Sequence, residues 1–168
     1  VGFTYKLVDN VSLFGSYAQG LSVPGTDPLY SSFFFVPGTA GVKPAPETTD
    51  SFDGGLRYRS GSVQAIVSGW FTKYNNRLQT VFDVETNERI FTNIGKVDVY
   101  GLDASIAFQP VDFFNVYAFG SLNESEIKDD VKRTATQTVP LAGKKLNDTP
   151  NYSFGVGSQI NLGPVSIG

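Results

Sequence analysis

The chain has 168 residues, of which 40% are hydrophobic, 14% aromatic and only 17% charged, with a formal net charge of −3. That balance argues against a phosphate-binding nucleic-acid surface, and the absence of Cys and His removes disulfides, thiolate ligands and any histidine triad or histidine metal site. No apolar run approaches the roughly 18 residues of a membrane helix, but strands that hide half their residues from lipid would not show in such a run.

Phe3, Tyr5 and Leu7 alternate with Thr4 and Lys6, predicting a strand over 2–8 that turns at Asp9-Asn10 into a second over 11–19. The stretch Gln19 to Asp50 then reads as a long loop. It is rich in Gly, Pro, Ser and Thr around Tyr30, Phe33, Phe34 and Phe35, which stand as candidate ligand-contacting aromatics or as packing of the loop on itself.

Strict alternation resumes over 50–59, where Phe52, Gly54, Leu56 and Tyr58 oppose Ser51, Asp53, Gly55 and Arg57. The turn Ser60-Gly61-Ser62 leads into 63–83, with Val63, Ala65, Val67, Gly69 and Phe71 on one face and Gln64, Ile66, Ser68 and Trp70 on the other. These two strands are expected to form a hairpin with Leu56 beside Ala65. After a loop near Glu85 to Glu88, a strand over 90–109 carries Tyr100, Leu102, Ala104, Ile106 and Phe108 opposite Gly101, Asp103, Ser105 and Ala107. A turn at Gln109-Pro110-Val111-Asp112 precedes a strand over 113–123. There the set Phe114, Val116, Ala118, Gly120 and Leu122 is preferred as the apolar face over Phe113, Asn115, Tyr117, Phe119 and Ser121, because it lacks Asn.

Glu124 to Thr149 reads as a solvated loop of mixed charge. Its acid pairs Glu124/Glu126 and Asp129/Asp130 lack convergent partners for a metal, so none is expected. Strand 151–160 places Tyr152, Phe154, Val156, Ser158 and Ile160 on its apolar face, and the turn Asn161-Leu162-Gly163-Pro164 opens a last strand over 165–168. With no initiator Met and strand-like residues at both ends, the chain reads as a piece of a longer polypeptide.

The apolar faces are free of charge, and the opposing faces are small, polar or charged. Short turns alternate with long loops, and Tyr17, Tyr58, Tyr100 and Tyr152 sit toward strand ends, as in an aromatic girdle. The expected fold is all-β, an antiparallel transmembrane β-barrel segment of about eight strands, and not a soluble sandwich with strands of about 5–6 residues. On this register Asp53, Arg57 and Asp103 face the lumen, as inter-strand charge pairing or as contacts to a ligand. Trp70 faces it too, as a ligand contact. With no nucleophile–histidine pair and no phosphate loop, neither catalysis nor a cofactor is expected.

Four segments carry a family resemblance. Leu13 to Leu21 followed by Pro24, Lys43 to Arg59, Asn93 to Ser105 on a strand running to Pro110, and Leu141 to Pro150 resemble, in order and spacing, barrel segments of TonB-dependent outer-membrane receptors. Asp53 and Asp103 stand where the family more often has Glu, and Ala45 and Pro46 interrupt its Pro-Glu step. The resemblance implies residues 1–168 as the middle-to-late part of a barrel of about 22 strands with a plugged lumen, the plug and closing strands lying outside the chain. It implies a bacterial outer-membrane location and import of a scarce nutrient, most often a ferric siderophore, driven by the TonB complex through the plug, and it makes contact with that plug a further expected role for Asp53, Arg57, Asp103 and Trp70. The competing expectations are a passive porin and a soluble carbohydrate-binding β-domain stacking sugars on Tyr30, Phe33, Phe34 and Phe35.

Overall fold

A computed structural model describes residues 1–23, 45–83, 88–132, 138–146 and 150–167. In chain order its strands are β1 (Gly2–Val8), β2 (Val11–Ser22), β3 (Glu47–Ser60), β4 (Val63–Asn75), β5 (Leu78–Asp83), β6 (Glu88–Asn93), β7 (Val97–Val111), β8 (Phe114–Ile127), β9 (Val131–Lys132), β10 (Thr138–Val139), β11 (Tyr152–Leu162) and β12 (Val165–Ile167). Eight of them form one antiparallel meander in the order β1-β2-β3-β4-β7-β8-β11-β12, and β5-β6 and β9-β10 are separate two-stranded hairpins. The all-strand antiparallel architecture is the one expected from the alternation.

The register unites the alternating faces into a single surface. Gly15, Gly54, Gly69, Leu102, Leu122 and Tyr152 are successive cross-strand partners, and so are Leu13, Leu56, Val67, Ala104, Gly120 and Phe154. A slip of one residue in any ladder would break this surface. The shifts that do occur, at Lys6/Val8 and Phe108/Val111, lie at the turn ends of their ladders, and the Phe114–Leu122 set of β8 lies on the surface as expected. The β3–β4 hairpin turns at Gly61-Ser62, but Leu56 pairs with Val67 and Ala65 with Tyr58. The expected partner was therefore two residues out on the correct face, because the turn is two residues long.

Among the described residues nothing packs on this surface. Leu102 is 56% exposed, Val156 76% and Phe154 79%, while the buried hydrophobics among the described residues are Ile94, Val97 and Ile127, all at the loop end. A soluble sandwich would cover such a face with a second sheet. At roughly 25 cal/mol per Å² of apolar area, an open sheet of this size needs an apolar solvent.

Three further departures have local causes. The strands expected over 63–83 and 90–109 each break in two, at Asn76 (φ 54°) and Gly95 (φ 83°). The ladder crosses the break through the Arg77 N–H to the Gly95 carbonyl and the Ile94 N–H to the Arg77 carbonyl, each 2.8 Å, so the β5–β6 hairpin is a bent continuation of β4 and β7. Pairing also runs beyond the expected strand ends, to Ser22 and Glu47 in the β2–β3 ladder and to Ile127 in β8. Apart from Leu21 and Ile127 the residues there are Gly or polar, so pairing persists where alternation gives no sign of it. Finally, β7 continues through Pro110 to Val111. The proline sits in a bulge between Phe108 and Val111, where its missing N–H costs no ladder bond.

The hairpin turns step evenly along the sheet. Counted down the ladder row that contains Tyr17, Phe52, Phe71, Tyr100 and Glu124, the closing pair of β1–β2 lies six residues below (Val11) and that of β3–β4 eight (Ser60). For β7–β8 it lies ten below (Phe114) and for β11–β12 twelve (Leu162). If the turns share one plane, the offset is one residue per strand. With about 3.4 Å rise and 4.8 Å between strands, this corresponds to a tilt of roughly 35°, within the range that closes sheets into barrels.

Candidate functional site

The face opposite the apolar one carries the polar and charged side chains of the sheet. Ser16, Asp53, Trp70, Gly101 and Asn123 form one ladder row across it. The Ser16 hydroxyl donates to the Asp53 carboxylate. Trp70 lies across Gly101, where a methyl group would come within 2.8 Å of the indole and still closer to the Leu122 carbonyl. Phe119 and Tyr117 cover Gly155 and Gly157 in the same way. Aromatic rings laid over glycines replace the packing that those positions lack. Gly101→Ala should therefore destabilise the barrel by about 1–3 kcal/mol through overpacking, whereas Gly120→Ala, with only the Ser153 carbonyl at 3.8 Å, should be neutral. Denaturant midpoints of the two variants in the intact protein check this.

The charged residues expected to pair do not meet. Asp53 is held by Ser16, the Arg57 guanidinium stands over the Phe14 ring at 5.3 Å, and Asp103 has Ser68 and Ser121 as ladder partners. Among the described residues no ion pair joins the three. Trp70 lies on the inward face beside Asp53, its ladder partner. Tyr30, Phe33, Phe34 and Phe35 lie outside the described residues.

A second constellation, absent from the sequence expectations as a site, forms a collar at the loop end. The Glu47 carboxylate is 6% exposed and fully engaged, with one oxygen 2.9 Å from the Arg77 guanidinium and the other accepting the Leu78 N–H at 2.8 Å. Arg77 in turn lies 4.3 Å from the Tyr74 ring centroid. The Asn93 side chain accepts the Ala45 N–H at 2.8 Å and donates to the Ala45 and Asn76 carbonyls at 3.1 and 2.7 Å. Beside them Ile94, Val97 and Ile127 form a small core with Tyr74, Val99, Val131, Leu141 and Leu146. Ser125 accepts the Leu146 N–H at 2.9 Å.

Asp129 and Asp130, weighed from sequence as an acid pair for a metal, instead accept the backbone N–H groups of Lys96, Leu141 and Ala142. Lys128 bonds Glu126 at 2.6 Å, and that hydrogen bond holds the amine above its ordinary pKa despite partial desolvation.

The collar gathers three of the four segments that carry the family resemblance. Glu47 belongs to Lys43–Arg59, Asn93 to Gly95 open the third segment, and Leu141 to Leu146 open the fourth. In this chain Glu47, Asn93 and Ser125 each satisfy a backbone or charged group where the sheet gives way to loops.

Solved structures share this architecture. The copper transporter OprC superposes with a TM-score of 0.67 at 17% identity, over 96% of this chain and 23% of that one. The pyoverdine outer membrane receptor FpvA from Pseudomonas aeruginosa gives 0.64 at 15% identity over 96% and 22%. The ferric yersiniabactin uptake receptor FyuA from Yersinia pestis gives 0.63 at 18% over 95% and 22%. The chain thus spans less than a quarter of the length of each of these three. No curated protein sequence matches it. The family profile described as "TonB dependent receptor-like, beta-barrel" matches residues 1–164. With nearly the whole sequence matched and the fold shared, the chain belongs to the TonB-dependent receptors, β-barrel proteins of the bacterial outer membrane.

Proposed function

We propose that the chain is part of the wall of an energised importer that takes up a scarce nutrient, a ferric siderophore being the favoured cargo. The rest of a barrel of about 22 strands and its lumen plug lie outside residues 1–168, and the TonB complex acts through that plug. The observation that carries the reading is the asymmetry of the sheet: an uncovered apolar face across eight strands, a polar and aromatic opposite face, and a collar that holds the loops at one end only. Structural neighbours named for ferric yersiniabactin uptake and for pyoverdine favour a siderophore, and one named as a copper transporter keeps other metal cargoes in view.

The test is uptake of ferric siderophores by cells carrying the intact receptor, with and without a proton gradient. Import should stop when the gradient collapses, and deleting Ser31 to Val36 should weaken ligand capture while the barrel remains folded. Undiminished, gradient-independent uptake would favour a passive porin. Recovery of the intact protein in a soluble fraction would favour a carbohydrate-binding domain.

A further inference from the structure

On the outward face, toward the loop end, a groove of about 800 Å³ runs across β3, β4, β7, β8 and β11. Phe52, Phe71 and Tyr100 of one ladder row form its wall on the loop side, and Leu102, Leu122 and Tyr152 of another form the opposite wall. All six belong to the apolar surface and are exposed. Gly54 and Gly69 continue the second row, so that wall is missing at the β3–β4 end and the groove opens there onto bare backbone. From β3 to β11 it covers four strand spacings, about 19 Å. It faces away from the lumen, so further strands and a plug complete the barrel without covering it.

Two lysines stand at its loop-side edge. Lys73 lies two residues beyond Phe71 on the same face of β4, is exposed and joins no ion pair among the described residues. Its ladder neighbours are carboxylates engaged elsewhere. Asp50 accepts the Tyr17 hydroxyl at 2.7 Å and the Gln19 amide at 3.0 Å, and Asp98 lies 3.5 Å from Lys128. Lys145 meets Glu124, which lines the β8 end of the groove, at 2.5 Å. That pair is about half exposed, holds loosely in water and leaves the other ammonium donors of Lys145 available. An apolar trough edged by ammonium groups fits an amphiphile whose anionic head adjoins its hydrocarbon, and a phosphate offers oxygens to more than one lysine.

We propose that this groove seats one acyl chain of a phosphate-bearing lipid of the outer leaflet, its phosphate against Lys73 and Lys145 and its chain along the aromatic wall as far as Gly69. The inference rests on the outer-membrane location and not on the cargo, so it stands or falls apart from the importer reading. A lipid held in this way is ordered, unlike the fluid lipid that wets the rest of the apolar surface.

The experiment is native mass spectrometry of the intact receptor, purified in a neutral detergent and titrated with dipalmitoyl phosphatidate and with dipalmitoylglycerol, which has the same chains and no phosphate. Phosphatidate should be retained at least about fivefold more than the diacylglycerol. Lys73→Gln/Lys145→Gln, both at exposed positions, should erase that preference. Gly69→Leu fills the open end of the trough, where its Cβ meets the flexible end of Leu102 at 3.3 Å and the Gly101 carbonyl at 3.8 Å. It should lower retention of both lipids. Lys6→Gln, at the turn end, should change neither, and heat-modifiability gels verify that each variant is assembled. Equal retention of the two lipids overturns the inference, and so does phosphatidate retention indifferent to the lysine pair. Retention that depends on the lysines but ignores Gly69→Leu overturns it too, because a headgroup contact without a seated chain is a different site.

Discussion

Leu56→Arg in the intact receptor should impair barrel assembly, at a cost of about 2–4 kcal/mol for a charge near the bilayer midplane. Leu56 sits on the uncovered face between Leu13 and Val67, with no polar group among its ladder partners. Ala65→Arg on the same apolar surface, with Tyr58 and Ile106 as ladder partners, should impair assembly less, because Ala65 stands only two residues above the closing pair and so nearer the membrane edge. Ser68→Arg, one residue beyond Val67, points to the other face and has Asp103 as its ladder partner, so it should be tolerated and gain a counter-ion. Heat-modifiability gels of outer membranes read the outcome. Equal tolerance of all three would contradict the assigned faces.

Glu47→Ala should leave the barrel assembled and loosen its mouth. The substitution strands the Leu78 N–H and removes the counter-ion of Arg77, a loss of about 2–4 kcal/mol given that Arg77 is only partly covered. Glu47→Gln keeps an acceptor for Leu78 and should recover part of the loss. Asn93→Ala removes three hydrogen bonds that tie Ala45 and Asn76 together and should resemble Glu47→Ala. Limited proteolysis is the measurement: cleavage near residues 84–87 and 24–44 should accelerate in both alanine variants while heat-modifiability stays intact. Unchanged cleavage would mean that the collar does not hold the loops.

The spanning part of the sheet was legible because lipid enforces the period of two without exception. Every residue from Phe52 to Tyr58 and from Tyr100 to Phe108 fell on its expected face, and even the ambiguous β8 followed from the absence of Asn on one side. Above the bilayer that constraint lapses. Asn75, Asn76 and Arg77 look polar in any conformation, and nothing in their order announces that Asn76 turns to positive φ and bends the hairpin. The collar was half legible. Glu47 and Asn93 fall within the family-like segments, but their meeting with Arg77 and Ala45 depends on contacts between residues 30 and 48 positions apart, which alternation cannot encode. The expected Asp53–Arg57–Asp103 pairing failed because a hydroxyl and a ring satisfied two of the charges locally.

The even step of the hairpin turns makes ladder rows poor guides to depth. With strands leaning by roughly 35°, each step to the next strand climbs about 3 Å along the membrane normal. Tyr17 and Glu124 share a row, yet the glutamate stands about 11 Å higher. Measured from its own closing pair, the lowest charged position on the outward face is the same in three strands: Asp50 is ten residues above Ser60, Lys73 ten above Val63 and Glu124 ten above Phe114. Ten residues at that lean rise about 28 Å, close to the roughly 25 Å apolar belt of outer-membrane barrels. The chain therefore carries its own waterline. Asp50, Lys73 and Glu124 mark where the outer leaflet ends, and a spin label at Lys73 should meet aqueous relaxation agents while one at Val67 meets oxygen dissolved in the acyl chains.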